Sequence, residues 1–520
     1  MSDHQKNNLG TEPEELTGEQ VTEQRQIRRD KLEQLREGGR DPFVHETWDV
    51  TAHSKDIQDN FDAMEDQEVS CAGRIMAFRQ MGKASFIDLQ DKQGKIQCYV
   101  KRDDIGSEEY QLFKSYDIGD ILGIKGKVFR TKRGEISIHC TEVTLLSKSL
   151  QVLPNKWNGL KDVDARYRQR YVDLIMNPEV REVFYKRAEI IKEIKRVLEE
   201  DYGYLEVDTP ILTTIAGGAN ARPFATHHNT LDIDLRLRIS NELYLKRLIV
   251  GGLDRVYEMG KMFRNEGMDR SHNPEYTSME CYMAYGNMES VMDVTEQIVS
   301  KAAIAANGTT VINYQGKEID LAPPWKKLDM TDAVRDVTGA DFRSVDTDED
   351  ARKLAVDKGM DEEEVKNMSR GKIIAEMFDR FCEEEPGLLD GPIFVTGHPV
   401  DISPLAKRDP DDPRITRRFE AYINGWEVAN AFSELNDPID QYERFSEQQK
   451  QLDAGEDDEA HPMDRDFVNA LEVGLPPTGG LGVGIDRVVM LITNSPSIRD
   501  VILFPTMKPI GKEDEENQGF

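Results

Sequence analysis

The sequence predicts an α+β protein of more than one domain: a small five-stranded β-barrel near the N-terminus, then a larger domain built on an antiparallel sheet flanked by helices. Three observations predict it. Five runs rich in Val, Ile and Phe crowd into residues 69–148. Beyond residue 180, strand-like runs stand far apart between helical stretches, with no βαβ rhythm and no GxGxxG. A length of 520 residues also exceeds what one ordinary core organises.

Taken in order, residues 1–18 are polar and acidic and read as a disordered tail. A helical segment follows over 19–68. Its first part, 19–37, is amphipathic through Val21, Ile27, Leu32 and Leu35, and Gly38-Gly39 stops it. Arg25, Arg28, Arg29, Lys31 and Arg36 lie close together there. They fit a solvated helix packed on the next domain, with a contact to nucleic acid as the second reading. The five runs of 69–150 are VSCAGRIMAFR, KASFIDLQD, GKIQCYVK, ILGIKGKVFRT and ISIHCTEVTLL, with the helix-like IGSEEYQLFKSY between the third and fourth. That order is the one expected of an OB barrel, a fold that often binds single-stranded nucleic acid. Residues 151–179 form a linker with Pro154, Gly159 and Pro178. From 180 to 520 runs the large domain. It opens on a helix over 180–202, with Val183, Ile190, Ile194 and Val197 at helical spacing, and an acidic helical insertion falls at about 343–385.

Charge and cysteine content narrow the function classes. The net charge is −31, which argues against blanket affinity for nucleic acid. Residues 70–150 nevertheless hold 14 Lys/Arg against 10 Asp/Glu, a balance of 14 − 10 = +4, so the remainder carries −31 − 4 = −35. A basic module is joined to an acidic body. Mean hydropathy is −0.61, and no run of about 18 apolar residues is present to span a membrane. The N-terminus lacks the basic start and apolar stretch of a signal peptide. Five scattered cysteines without a CxxC pair read as small buried hydrophobes in a reducing cytoplasm.

Three segments carry chemistry. In FRNEGMDRSHNPEY at 263–276, a strand–loop–strand puts Arg264, Glu266 and His272 where a phosphate ligand can be held, because guanidinium grips phosphate bidentately. In GLGVGIDRVVML at 480–491, glycines permit close backbone approach and Arg487 follows them. In RFEAYINGWEVANAFSELND at 418–437, Glu420 and Glu427 are seven apart and cannot share a face of one straight strand. A turn at Asn424-Gly425 lets them converge from adjacent strands, as a magnesium ion with a triphosphate requires. Taken singly, each segment also suits a soluble hairpin, a tightly packed strand, or two solvated acids.

In order along the chain, RNEG with HNPEY resembles motif 2 of the class II aminoacyl-tRNA synthetases, and GLGVGIDR resembles motif 3. The helix at 180 leading into YLEVDTPIL is similar to motif 1, with Pro210 at the dimer interface of that family. The similarity runs from about residue 20 to the end, and a barrel before the catalytic domain is the order of the lysine, aspartate and asparagine subgroup. The resemblance implies that Arg264 holds the α-phosphate of ATP and Arg487 the γ-phosphate. It also implies that Glu266 faces the adenine amino group, Tyr276 stacks on adenine, His272 touches phosphate, and Glu420 and Glu427 bind Mg2+. It further implies a homodimer formed through motif 1. One departure is visible: many bacterial relatives read Val-Arg-His before Asn-Pro, whereas this chain reads Asp269-Arg270-Ser271-His272, shifting the loop's arginine by one.

Charge supplies a separate test of the amino acid. An aspartate site needs cations facing the side chain, whereas a lysine site needs buried carboxylates. The strings SNELYLKRL, ECYMAY and NAFSEL bring Glu242, Glu280 and Glu434, with Tyr244, Tyr282 and Phe432 beside them. Tyrosine and carboxylate together suit an ammonium on a methylene stem. Any one of these glutamates could instead be paired with Lys246 or Arg247. The strings resemble the lysine members of the subgroup, in which Gly218, Glu242, Glu280, Tyr282, Asn430, Phe432 and Glu434 line the lysine site. The resemblance thus implies lysine, ATP and a lysine-accepting tRNA as partners. In the barrel, the anticodon-binding residues it implies are Phe86, for stacking, with Arg74, Gln97 and Glu135. The alternatives are an aspartate or asparagine enzyme, which would place cations at 242 and 280, a protein-lysylating relative, which lacks the barrel, and a non-catalytic RNA-binding paralogue, which would have lost an arginine or the Glu420/Glu427 pair.

Overall fold

The structure, a computed structural model, describes residues 18–154, 162–215, 217–219, 221–454 and 463–510. The acidic tail therefore lies outside the described residues up to residue 17, as does part of the linker, 155–161. The chain forms two compact units, residues 1–178 with 507–520, and residues 179–506.

In the first unit, β1 (Glu68–Met81), β2 (Ala84–Gln90), β3 (Lys95–Lys101), β4 (Ile121–Arg130) and β5 (Ile136–Ser147) close a barrel in the order β1-β2-β3-β5-β4. The β3–β5 pair is parallel and the others antiparallel. Helices Arg102–Ile105 and Ser107–Phe113 supply the crossover that a parallel pair needs. Alternation places Ile87, Leu89, Cys98, Val100, Ile124 and Ile138 inside. All five cysteines of the chain are buried and free. The helix Gly18–Glu37 buries Leu32 and Leu35 and ends before Gly39, which takes a φ of 69°. Its basic cluster is partly structural. Arg28 donates to the carbonyls of Ile118, Ser149 and Gln151, and Lys31 pairs with Asp117 at 2.6 Å. Among its described residues the linker has structure of its own. It holds helices Val163–Arg168 and Arg170–Met176, braced by the fully buried Arg170–Asp173 pair, and Gln90 donates to the carbonyl of Ile175.

The second unit is organised by an eight-stranded sheet. Its strands are β6 (Leu205–Glu206), β10 (Arg255–Phe263), β11 (Glu275–Ala284), β14 (Lys326–Asp329), β15 (Ile393–Thr396), β16 (Arg418–Ile423), β17 (Trp426–Ser433) and β18 (Thr478–Gly484), in the order β14-β15-β16-β17-β18-β11-β10-β6. Two smaller sheets join β7 (Leu212–Thr213), β9 (Ile233–Leu237) and β8 (Ala225–His228), and β12 (Val311–Tyr314) with β13 (Lys317–Asp320). The antiparallel sheet expected from the sequence holds for the six central strands, whereas both edge pairs, β14–β15 and β10–β6, are parallel. The helical insertion explains one edge. Helices Met330–Thr338, Asp348–Asp357 and Arg370–Met377 form the β14-to-β15 crossover, with their own core around Phe342, Ile373 and Phe378. One face of the sheet packs Met279, Cys281, Val483, Ala431 and Phe419 against the helices Pro178–Arg196 and Met288–Asn307, through Ile190, Ile194, Val291 and Ile298. The opposite face is left for chemistry.

Candidate active site

Strand parity sorts the sheet into an apolar face and a polar one. With Met279 and Cys281 of β11 in the core, Ser278, Glu280 and Tyr282 point the other way. The register then builds rows across four strands. Glu420, Asn430, Gly482 and Glu280 stand side by side, and so do Arg418, Phe432, Gly480 and Tyr282. With the surrounding loops they enclose a cavity of about 470 Å³. The glycines keep its floor low. A Cβ at Gly480 would overlap the Glu434 carboxylate and come within 2.7 Å of the Tyr282 ring.

A turn brings the two acids of β16 and β17 to one face, and a bulge adds their neighbours to it. The turn is made by Asn424 and Gly425, with φ of 53° and 74°. Regular pairing from such a turn sets Glu427 across from Tyr422, on the face that Glu420 shares by alternation. The register shifts between Ala421 and Tyr422, leaving Val428 as the extra residue of β17, and this shift puts Asn430 and Phe432 on the same cavity face as Glu427.

Cations gather at one end. Arg264 follows β10, and its backbone N–H donates to the Pro274 carbonyl at 2.9 Å. Its guanidinium lies 5.5 Å over the Tyr276 ring, and its Nε is buried without a hydrogen-bond partner among the described residues. A buried, unanswered donor on a cation is a seat for an anion. Arg487 donates to the Glu427 carbonyl at 2.6 Å and lies 3.2 Å from Nε2 of His272. In the loop, the Asp269 carboxylate accepts from the backbone N–H groups of Ser271 and His272, and bonds His272 Nδ1 at 2.8 Å. Burial opposes its charge, but these bonds hold Asp269 well below the usual carboxylate range. The shift in the loop's sequence thus supplies the anchor for His272. Arg270 does not line the cavity, and its carbonyl accepts from the backbone of Ile498.

Acids gather at the other end. Glu280 accepts from Ser240 Oγ at 2.8 Å and from the Tyr282 hydroxyl at 3.0 Å. Burial, and then the nearby Glu242, push Glu280 up to about 7. Gly218 approaches closely. It has a φ of 90°, and a Cβ there would stand 2.9 Å from Ser240 Oγ. Every residue that the resemblance implies for ATP or lysine lines the cavity except Glu434, and Tyr244, named beside the glutamates, lies outside it with its hydroxyl 3.1 Å from that of Thr213. The side chain of Glu434 is fully buried beneath Gly480, and its carboxylate is bound by Lys246, which also donates to Glu242 at 2.5 Å. The pairing with Lys246 considered for a single glutamate is therefore present, and it involves two of the three.

Among the described residues no group of three or more His, Cys, Asp or Glu side chains is placed to hold a metal unaided. Glu420 and Glu427 fit a hydrated magnesium ion, which takes one or two protein carboxylates and completes its shell with water and phosphate oxygens. Burial, followed by Glu420, raises Glu427 above its ordinary range, as expected of two anions facing a shared space. Glu420 itself is held by Arg418 at 2.6 Å and Tyr422 at 3.0 Å.

Several functional neighbours were absent from the sequence reading. Arg418 stands two residues from Glu420 on one strand, so alternation could have found it. Asp486 ties three segments together. It accepts from the Thr277 backbone at 2.7 Å and pairs with Arg187 of the long helix at 2.6 Å, and only folding reveals this. On the barrel, Phe86 lies on the outer face, since Ser85 and Ile87 on either side of it are buried. It joins Tyr99 at 4.9 Å, and Tyr99 joins His139 at 5.2 Å, giving a half-buried aromatic row that the sequence showed only in part. Gln97 accepts from Ser137 at 3.1 Å, and Glu135 is exposed. Arg74 is set apart, across from Gln90, and donates to the Gly119 carbonyl at 2.7 Å, whereas Arg79 is the residue paired with Phe86 across β1 and β2.

Comparison with known proteins adds the following. The family model for tRNA synthetases class II (D, K and N) matches residues 162–508, and that for the OB-fold nucleic acid binding domain matches residues 69–146. The lysine–tRNA ligase of Thermoanaerobacter pseudethanolicus is 58% identical over 491 residues, covering 94% of this chain and 97% of its own length. The lysine–tRNA ligase of Moorella thermoacetica is 56% identical, covering 93% and 97%, and that of Bacillus subtilis 52%, covering 95% and 99%.

Proposed function

The chain belongs to the class II tRNA synthetases of the D, K and N group, and from that membership we propose that it joins lysine to ATP as lysyl-adenylate and passes the lysyl group to the 3′ end of a lysine-accepting tRNA. One observation carries the choice of lysine: the amino-acid end of the cavity is lined by buried Glu242 and Glu280 with Tyr282 and Phe432, while Arg418, beside Phe432, is held by Glu420 and Asn430. An aspartate or asparagine site is disfavoured by the same acids. A non-catalytic paralogue is disfavoured because Arg264, Arg487, Glu420 and Glu427 all line one cavity. The test is ATP–pyrophosphate exchange across all twenty amino acids. Exchange with lysine alone is expected, and exchange with aspartate would overturn the reading.

In the first step the lysine α-carboxylate attacks the α-phosphorus, the bond to the β-phosphate oxygen breaks, and pyrophosphate leaves. No activated serine or cysteine takes part. Arg264 neutralises the α-phosphate and Arg487 the γ-phosphate, so the acceleration comes from positioning and charge. Glu420 and Glu427 are the residues that hold magnesium, which when bound supplies further charge neutralisation on the phosphates. His272, fixed by Asp269 beside Arg487, faces the same phosphates. Glu266 and Tyr276 take the adenine.

Glu280 makes lysine binding depend on pH. Its carboxyl is raised to about 7 in the free protein, so below that value it carries a proton that must leave before it can meet an ammonium. Lysine affinity should therefore rise about tenfold from pH 6 to pH 8 and then level off. Titration calorimetry at the two values checks this, and equal affinities would refute it. In Glu280→Gln the dependence should vanish.

We assign Phe86 and Tyr99 to stacking on unpaired anticodon bases, with Gln97 and Glu135 on base edges. Phe86→Ala should raise the KM for tRNA about tenfold, consistent with about 1–3 kcal/mol per stacked base. Exchange without tRNA should be unaffected. We also propose a homodimer. Around the exposed Pro210, Leu205, Ile211 and Leu212 are exposed apolar residues, and the short β6 is a sheet edge. Sedimentation should give twice the chain mass of 59.3 kDa. The reduced, buried cysteines fit a cytoplasmic enzyme.

A further inference from the structure

We propose that Lys246 is a specificity-determining positioning residue: a built-in ammonium that cancels one of three buried glutamates, so that the acids left over match the two ammonium groups of free lysine. The proposal rests on the lysine reading of the cavity.

Lys246 lies one helical turn after Glu242 in the helix Glu242–Val250 and is fully buried. Its Nζ donates to Glu242 at 2.5 Å and to Glu434, and it lies 5.3 Å from the Phe432 ring centroid and 5.7 Å from that of Phe467. Burial works against its charge, but Glu242 and Glu434 more than offset this and hold the lysine above its ordinary value. Phe432 lines the cavity on one side and faces this ammonium on the other. Glu434 lies under the floor at Gly480, where burial pushes its carboxyl well above the ordinary range and Lys246, its only cationic partner among the described residues, works against this to favour the ionised form.

Counting charges gives the argument. Glu242, Glu280 and Glu434 bring three negative charges and Lys246 one positive, so 3 − 1 = 2 remain. The other acid at this end, Asp464, is already paired with Arg247 at 2.7 Å. Free lysine brings two ammonium groups, and its carboxylate has Arg264 as counter-charge. Lysine therefore leaves the closed site neutral, whereas a chain of equal length lacking the ε-ammonium leaves a buried carboxylate uncompensated, which is costly in a low dielectric. Without Lys246 the surplus would be three, and even lysine would leave one charge unmet.

The experiment uses the full chain, comparing wild type with Lys246→Met, Glu434→Gln and the double variant. In lysine-dependent ATP–pyrophosphate exchange each single change is expected to raise the KM for lysine at least tenfold. The double variant restores the surplus of two and should return to within fivefold of wild type. The preference for lysine over norleucine should fall at least tenfold in Glu434→Gln and recover in the double variant. The KM for ATP should stay within threefold throughout, which a general loss of structure would not allow. A wild-type lysine KM in Lys246→Met, or a double variant as impaired as the product of the single effects, overturns the proposal. If a single variant does not fold, the double variant decides alone: a KM within fivefold supports the charge count and a larger rise overturns it. Failure of wild type to activate lysine would instead retire the lysine reading itself.

Discussion

Arg264→Ala is expected to lower lysine-dependent ATP–pyrophosphate exchange by about a thousandfold or more while leaving the protein folded. The rate follows from its position. The guanidinium sits at the cationic end of the cavity with its Nε buried and unanswered among the described residues, and a preorganised donor aimed at developing charge is worth about 10²–10³ in rate. As a full positive charge gripping phosphate by two bonds, it should lie at or above the top of that range. The fold survives because the interaction at stake among the described residues is the stacking on Tyr276, at 5.5 Å, an arrangement worth about 1 kcal/mol or less. Exchange within tenfold of wild type, measured alongside an unchanged melting temperature, would remove Arg264 from the chemistry.

Glu427→Gln is expected to cost about a hundredfold in exchange at about 1 mM magnesium, with much of the loss recovered at tenfold higher magnesium. Amide oxygen is a weaker magnesium ligand than carboxylate, so the defect should appear as a raised metal requirement. Stability should hold or improve slightly, because the Glu427 carboxylate is pushed up by burial and by Glu420, and neutralising it relieves both. Glu420 is a poorer choice for the test, since its loss would also leave Arg418 without its carboxylate partner. Melting curves with exchange assays at two magnesium concentrations separate the outcomes. A defect that magnesium does not relieve would mean that Glu427 acts in another way.

Legibility differed from one element to the next. The barrel was legible because its five strands crowd into residues 68–147, with the clearest alternation of buried and outward residues in β2 and β3. The two arginine motifs were legible because each is a contiguous run. Glu420 and Glu427 were half legible. Asn424-Gly425 announced the hairpin that sets them on one face, but the bulge that adds Asn430 and Phe432 to that face depends on how β16 and β17 pair. The parallel edges of the sheet were not legible, because a two-residue strand such as β6 leaves no periodic signal.

The sequence by itself determined the chemical inventory of this protein. It showed an acidic body with a basic barrel, two arginines in segments suited to phosphate, and glutamates in three separate strings that disfavour an anionic side chain. Only the tertiary structure decided how those charges are shared. Glu242 and Glu280 line the cavity, while Glu434 lies under its floor with Lys246. The reason is physical: residue types fix which charges exist, but whether a carboxylate meets a ligand or an internal cation depends on strand register and burial, and these are set by pairings between residues far apart in the chain.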